Sequence, residues 1–125
     1  MSAGLNRVFL NIASNACYAV YQRQLEADSD FSPMLKIRTR NQNDCVEIRI
    51  RDNGTGMTTE VREKIFDQFF TTKPTGEGTG LGLSLSYSII VEQHNGTLDV
   101  VSEPGLYAEF VITLPKQGTL SSKLT

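Results

Sequence analysis

The chain has 125 residues, 39% of them hydrophobic, with a formal net charge of −2, which suits one globular domain with a real core. Its basic residues are scattered, which argues against a polyanion-binding surface and a nucleic-acid partner; no apolar run approaches the roughly 18 residues of a membrane span, and no secretory leader is visible. A single histidine, His94, and two separated cysteines, Cys17 and Cys45, argue against a zinc site or a histidine-based triad and read as free, buried thiols in a reducing, cytoplasmic compartment.

In chain order, Leu5, Val8, Phe9, Ile12, Ala13, Ala16, Ala19 and Val20 recur at three- and four-residue steps, so residues 4–24 read as an amphipathic helix. Residues 25–33 are polar and end in Pro33, a loop. Residues 34–39 and 45–51 read as strands joined at Asn41-Gln42-Asn43-Asp44, a turn-tolerant run that makes them a hairpin. A short helix capped by Thr58 or Thr59 follows, to about Gln68. Residues 71–78, rich in Gly, Pro and Thr, read as a mobile loop. Residues 80–93, uncharged until Glu92, read as a well-buried helix ended by Asn95-Gly96, a pair tolerant of left-handed backbone. Residues 97–102 and 107–114 alternate apolar and polar around Glu103-Pro104-Gly105, a second hairpin. The order helix, hairpin, helix, loop, helix, hairpin is that of an α/β sandwich with helices on one face of a sheet. The domain then spans 1–115, and 116–125 is a polar tail.

Asp52 is the first candidate site residue. Val46, Ile48 and Ile50 share one face of their strand, and Asp52 stays in phase with them. An inward carboxylate costs several kcal/mol (order of magnitude) unless a donor meets it. An adenine amine is one such donor; the plainer alternative is a turn aspartate bonded to its own backbone. Gly54 and Gly56 permit a sharp bend and close approach to a flat ligand, or are ordinary turn glycines; Met57 packs on that ligand or fills the core. Asn11 and Asn15, four apart, stack on one side of the first helix, where their amide oxygens suit Mg²⁺ or are satisfied boundary amides. Gly76-Glu77-Gly78-Thr79-Gly80-Leu81-Gly82-Leu83 opens a helix with exposed N–H groups suited to phosphate, though it is neither a Walker A loop nor a dinucleotide fingerprint. Lys73 either reaches a terminal phosphate or is a solvated surface lysine. Phe66, Phe69 and Phe70 read as core anchors or as a hinge beside the loop, and His94 as a local cap.

Asn11-Ile12-Ala13-Ser14-Asn15-Ala16, Asp52-Asn53-Gly54-Thr55-Gly56-Met57, Ile65-Phe66-Asp67-Gln68-Phe69-Phe70 and Gly78-Thr79-Gly80-Leu81-Gly82-Leu83 resemble, in order, the asparagine, first glycine, phenylalanine and second glycine boxes of sensor histidine kinases. The likeness runs from the first helix to Pro115. It implies the Bergerat ATP-binding fold: a two-layer α/β sandwich, a mixed sheet backed by three helices, with residues 71–79 as a lid over ATP. The family's usual strand before the first box has no counterpart here, so the chain is expected to be a truncated piece or to lack an N-terminal edge strand.

By the same resemblance Asn15 ligates Mg²⁺, Asp52 accepts from adenine, and Gly54, Gly56, Met57, Thr72, Lys73, Gly78, Thr79, Gly80, Leu81, Gly82 and Leu83 border the nucleotide. Hydrolytic relatives carry glutamate at the position of Asn11; an asparagine cannot activate water as a general base. Asn11 and Asn15 are therefore expected to serve transfer of the ATP γ-phosphoryl to a histidine. The resemblance implies two partners: a dimerisation and phosphoacceptor domain, which no segment of this chain resembles, and a response-regulator receiver domain. The isolated domain is expected to be a monomer. The alternatives are a nucleotide-binding regulatory module without transfer activity, or a related ATPase or serine kinase.

Overall fold

The computed structural model describes residues 4–27, 30–68, 70 and 82–116. The expected lid, Phe69, Thr72, Lys73, Gly78, Thr79, Gly80, Leu81 and the tail beyond Lys116 lie outside these residues.

The elements are α1 (Leu5–Glu26), β1 (Leu35–Asn41), β2 (Cys45–Asp52), α2 (Thr59–Lys64), α3 (Gly82–Tyr87) running into π-helical Ser88–Gln93, β3 (Thr97–Glu103) and β4 (Tyr107–Pro115). The strands form one sheet in the order β1-β2-β4-β3. β1–β2 and β3–β4 are hairpins, and β4 lies between β2 and β3, so the connection from β2 to β3, which carries α2 and α3, is a crossover. The α/β sandwich expected from the sequence is present. All pairings among the described residues are antiparallel, so none of the parallel pairs of a mixed sheet occurs there.

Strand alternation sorts the sheet's two faces. Ile48, Ile50 and Asp52 of β2 face the helices with Leu98 and Val100 of β3 and Phe110 and Ile112 of β4. Val8 and Ile12 of α1, with Leu83, Ile89 and Ile90, close the core over them. Burying such side chains is worth roughly 1.5–3 kcal/mol each. On the opposite face Arg49 donates to Glu47 and to Glu109, at 3.0 and 3.2 Å, and the Arg51 guanidinium lies 3.9 Å from the centre of the Tyr107 ring. The whole of β1 is exposed, because the helix layer packs over the other strands.

Local signals account for the element ends. Thr58 caps α2 by accepting from Val61 N–H at 3.2 Å, but the helix stops at Lys64 rather than near Gln68, where Asp67 N–H turns back to the Lys64 carbonyl. Asn95 takes the left-handed backbone (φ 57°) expected of it, and His94 Nδ1 lies 2.9 Å from the Ile89 carbonyl, the local cap anticipated. The last helix is buried along one side only: Leu83, Ser86, Ile89 and Ile90 face inward while Leu85 and Tyr87 are exposed. The expectation of buried thiols is corrected. Both cysteines are free, but Cys17 is exposed, one residue past the inward-facing Ala16, and Cys45 is half-buried at the hairpin.

Candidate functional site

A cavity of about 590 Å³ opens between α1, the loop after β2, α2 and the start of α3, within the range of sites for small ligands. Of the residues singled out in the sequence, Asn11, Asn15, Asp52, Gly56, Met57, Gly82 and Leu83 line it, and Phe70 borders it. Segments far apart in the chain meet here because α1 crosses the sheet's inner face at the end of β2.

Asp52 is 1% exposed. Its Oδ1 accepts from Gly54 N–H at 2.8 Å, the self-bonded turn that was the plainer alternative. That bond uses one oxygen. The second has no donor among the described residues, while the side chain lines the cavity. Burial pushes the carboxyl up from 3.8 to about 6; the Gly54 N–H and the Arg51 charge oppose the shift without cancelling it. A carboxylate left partly unsatisfied in a cavity wall invites a ligand N–H donor.

Asn11 and Asn15 mark the other end. Asn11 Nδ2 donates to the Gly82 carbonyl at 3.0 Å and to Ser86 Oγ at 3.3 Å, and Ser86, fully buried, donates to the same carbonyl at 2.9 Å. This arrangement ties α1 to the first turn of α3 and leaves Asn11 Oδ1 as an oxygen donor. Asn15 lies one turn further along the same face.

The glycines play different parts. A Cβ on Gly54 would lie 2.5 Å from the Ala19 main chain, so this glycine lets the loop seat on α1; it does not line the cavity. Gly56 has φ +67°, and a Cβ there would strike the Glu103 carbonyl. Its need is set by the β3–β4 turn as well as by the cavity. Gly82 is freer: an added Cβ would meet Asn11 Cγ at 3.5 Å, an ordinary contact.

Other features were missed in the sequence. Tyr18, Gln22 and Glu26 also line the cavity, and the signal was available, since they continue the helical spacing of Asn11 and Asn15. Ser102 Oγ accepts from Met57 N–H and donates to the Tyr107 carbonyl, both at 2.7 Å. Asn53 holds the segment before β1, donating to the Ser32 carbonyl and accepting from Met34 N–H, each at 2.8 Å. Nothing in local sequence announces these long-range anchors.

A buried carboxylate and two carboxamides thus line one cavity walled by a helix, a sheet end and a second helix start. The profile described as "Histidine kinase-, DNA gyrase B-, and HSP90-like ATPase" matches residues 2–118, and the chain belongs to that family. It is 42% identical over 112 residues to the signal transduction histidine-protein kinase AtoS of Escherichia coli, covering 89% of this chain and 16% of AtoS. It is 39% identical to sporulation kinase E of Bacillus subtilis, over 89% of this chain and 14% of that protein. Among solved structures it resembles the catalytic domain of histidine kinase ThkA, with TM-score 0.69 and 30% identity over 87% of this chain and 64% of that one. The mycobacterial sensor histidine kinase MprB gives TM-score 0.70 at 27% identity, over 90% of this chain and 70% of that one. The chain thus spans less than a fifth of AtoS and of sporulation kinase E, in the part that corresponds to a histidine-kinase catalytic domain. No helix among the described residues is long and apolar enough to cross a membrane.

Proposed function

We propose that this domain, residues 1–115, binds Mg-ATP and passes the γ-phosphoryl group to a histidine on a dimerisation and phosphoacceptor domain outside this chain. The observation that carries the reading is Asp52: a buried carboxylate with a single donor among the described residues, set in the wall of the cavity whose far end holds Asn11 and Asn15. The free carboxylate oxygen accepts from the adenine amine, and Met57 and Gly56 flank the ring. The triphosphate would lie toward Asn11, Asn15, Gly82 and Leu83, which line the cavity; by the family resemblance Thr72, Lys73, Gly78, Thr79, Gly80 and Leu81 are the further candidates for binding it.

Oxygen donors without a carboxylate cluster suit Mg²⁺, which keeps several waters and takes phosphate oxygens as further ligands. Asn15 lines the cavity, and its carboxamide oxygen is of the kind Mg²⁺ takes; by the family resemblance it is the residue that would hold the ion. The ion's contribution is to neutralise phosphate charge.

In the transfer, the acceptor imidazole attacks the γ-phosphorus, a P–N bond forms, and the bond to the β–γ bridging oxygen breaks with ADP leaving. This chain's own residues bind, align and shield the phosphates. Asn11 supports transfer over hydrolysis: its amide is engaged with Gly82 and Ser86 and has no proton affinity with which to activate water. The domain would act in the cytoplasm, where ATP is supplied, with the full-length protein free to be membrane-anchored, and the receiver domain of a response regulator takes the phosphoryl group onward. Alone, without the dimerisation segment, the domain is a monomer.

The test is labelling with γ-³²P-ATP. The domain plus a cognate acceptor domain should yield an acid-labile, base-stable phosphoprotein, while the domain alone binds ATP with negligible turnover. Rapid phosphate release by the isolated chain, or an acid-stable product, overturns the assignment.

A further inference from the structure

Arg23 lies near the end of α1, two turns beyond the carboxamides. The same Nη1 donates to the Asn53 carbonyl at 2.9 Å and to the Leu106 carbonyl at 3.0 Å. Its guanidinium also lies 4.7 Å from the centre of the Phe31 ring. Each partner belongs to a different piece of the molecule: the loop after β2, the β3–β4 turn and the segment before β1. These pieces are in turn bound to one another. Asn53 bridges to Ser32 and Met34, and Gly105 N–H donates to the Thr55 carbonyl at 2.7 Å. The guanidinium is therefore the common member of two closed circuits that meet at Asn53, next to Asp52 in the chain.

We infer that Arg23 is a positioning residue for adenine recognition: it holds the turn at Asn53 against α1 and so sets where the free oxygen of Asp52 stands in the cavity. The inference rests on the nucleotide reading given above. The main chain of Asp52 is fixed by its pairing with Leu35 and Ala108, but its carboxylate is held by one hydrogen bond among the described residues, from Gly54, in the same turn that Arg23 anchors. The orientation of the carboxylate therefore follows from the place of that turn. Recognition of one ring edge by one oxygen is sensitive to shifts of about 1 Å. The phosphate end is tied instead through Asn11 to α3, and among the described residues Arg23 makes no hydrogen bond to that end.

This separation defines the test. Affinities of the whole chain for Mg-ATP, Mg-GTP and Mg-tripolyphosphate are measured by calorimetry, for the unmodified protein and for Arg23→Ala, each also carrying Asp52→Asn. Arg23→Ala is expected to weaken ATP about tenfold, the loss of one hydrogen bond to a charged group, while tripolyphosphate and GTP change less than about twofold. In the Asp52→Asn background the same change should cost ATP less than about twofold, because a residue acting through Asp52 has nothing left to act on. Should the alanine variant fail to fold, Arg23→Lys carries the test. It keeps the stem and charge but loses the planar group over Phe31, and the same pattern at a reduced size is expected. A parallel fall in tripolyphosphate affinity, or an equal ATP loss in both backgrounds, overturns the role of Arg23. An unmodified chain that binds tripolyphosphate but not ATP overturns the adenine reading itself.

Discussion

Replacing Asp52 with asparagine should make the empty domain more stable and the nucleotide site worse. The side chain is 1% exposed, and burial raises its carboxyl from 3.8 to about 6. At about 1.36 kcal/mol per tenfold change in proton affinity, the ionised carboxylate destabilises the empty fold by about 3 kcal/mol at neutral pH. The sign follows from the direction of the shift. The folded protein holds this proton more tightly than the unfolded chain, so the group's contribution is most favourable below pH 4 and is lost as pH rises through about 6. Asparagine keeps an oxygen for Gly54 N–H and carries no charge, so Asp52→Asn should raise the melting temperature of the empty domain at pH 7.5 by roughly 5–15 °C, an upper range that relaxation and water entry reduce. The increment should shrink toward zero below pH 4. In the cavity, however, the acceptor oxygen becomes an NH₂ group facing the adenine NH₂. An unmatched donor costs about 1–3 kcal/mol, so ATP should bind roughly 10- to 100-fold more weakly. GTP, whose ring presents an oxygen at that edge, should lose less. Differential scanning fluorimetry from pH 3.5 to 8, with and without each nucleotide, reads both effects. A variant no more stable than the parent at pH 7.5 that keeps its ATP-induced shift would refute the reasoning about both burial and recognition.

Four further outcomes follow from the same geometry. Gly56→Ala forces a side chain into left-handed backbone against the Glu103 carbonyl, and should lower stability by about 2–3 kcal/mol or more in urea unfolding; Gly82→Ala, where the new methyl has ordinary room beside Asn11, should stay within about 1 kcal/mol while weakening nucleotide binding by adding a methyl to the cavity wall. Asn15→Ala should remove most of the Mg²⁺ dependence of ATP affinity, seen as converging calorimetric curves with and without the ion; an undiminished metal effect would transfer the ligand role elsewhere. Asn11→Ala removes the donor to the Gly82 carbonyl and to Ser86, and should cost about 1–2 kcal/mol of stability together with phosphoryl transfer in the labelling assay.

Much of this site was legible from residue order alone, for an identifiable reason. Strand alternation carries only two choices, so the phase of Val46, Ile48 and Ile50 obliged Asp52 to point inward, and it does. Helical spacing did the same for Asn11 and Asn15, and would have done so for Tyr18, Gln22 and Glu26 had the stripe been followed to the helix end. Where a property depends on a single element's period, the sequence carries it.

What only the tertiary structure decided is set by partners distant in the chain. Whether Asp52 was a turn aspartate or a ligand-facing acid could not be settled by its neighbours, because both are consistent with Asp-Asn-Gly. In the folded chain one oxygen closes the turn, and the residue also lines the cavity. Gly54 read either as a glycine for a ligand or as an ordinary turn glycine, and in the folded chain a Cβ there would meet the Ala19 main chain. Cys17 read as buried because thiols usually are, yet the helix layer leaves it outside. Arg23, an unremarked surface-type residue in the sequence, bonds carbonyls 30 and 83 positions away. Periodicity is a local property of the backbone and survives in one dimension. Which carbonyl, ring or methyl a side chain meets depends on how the elements dock, and that information arises only when they pack.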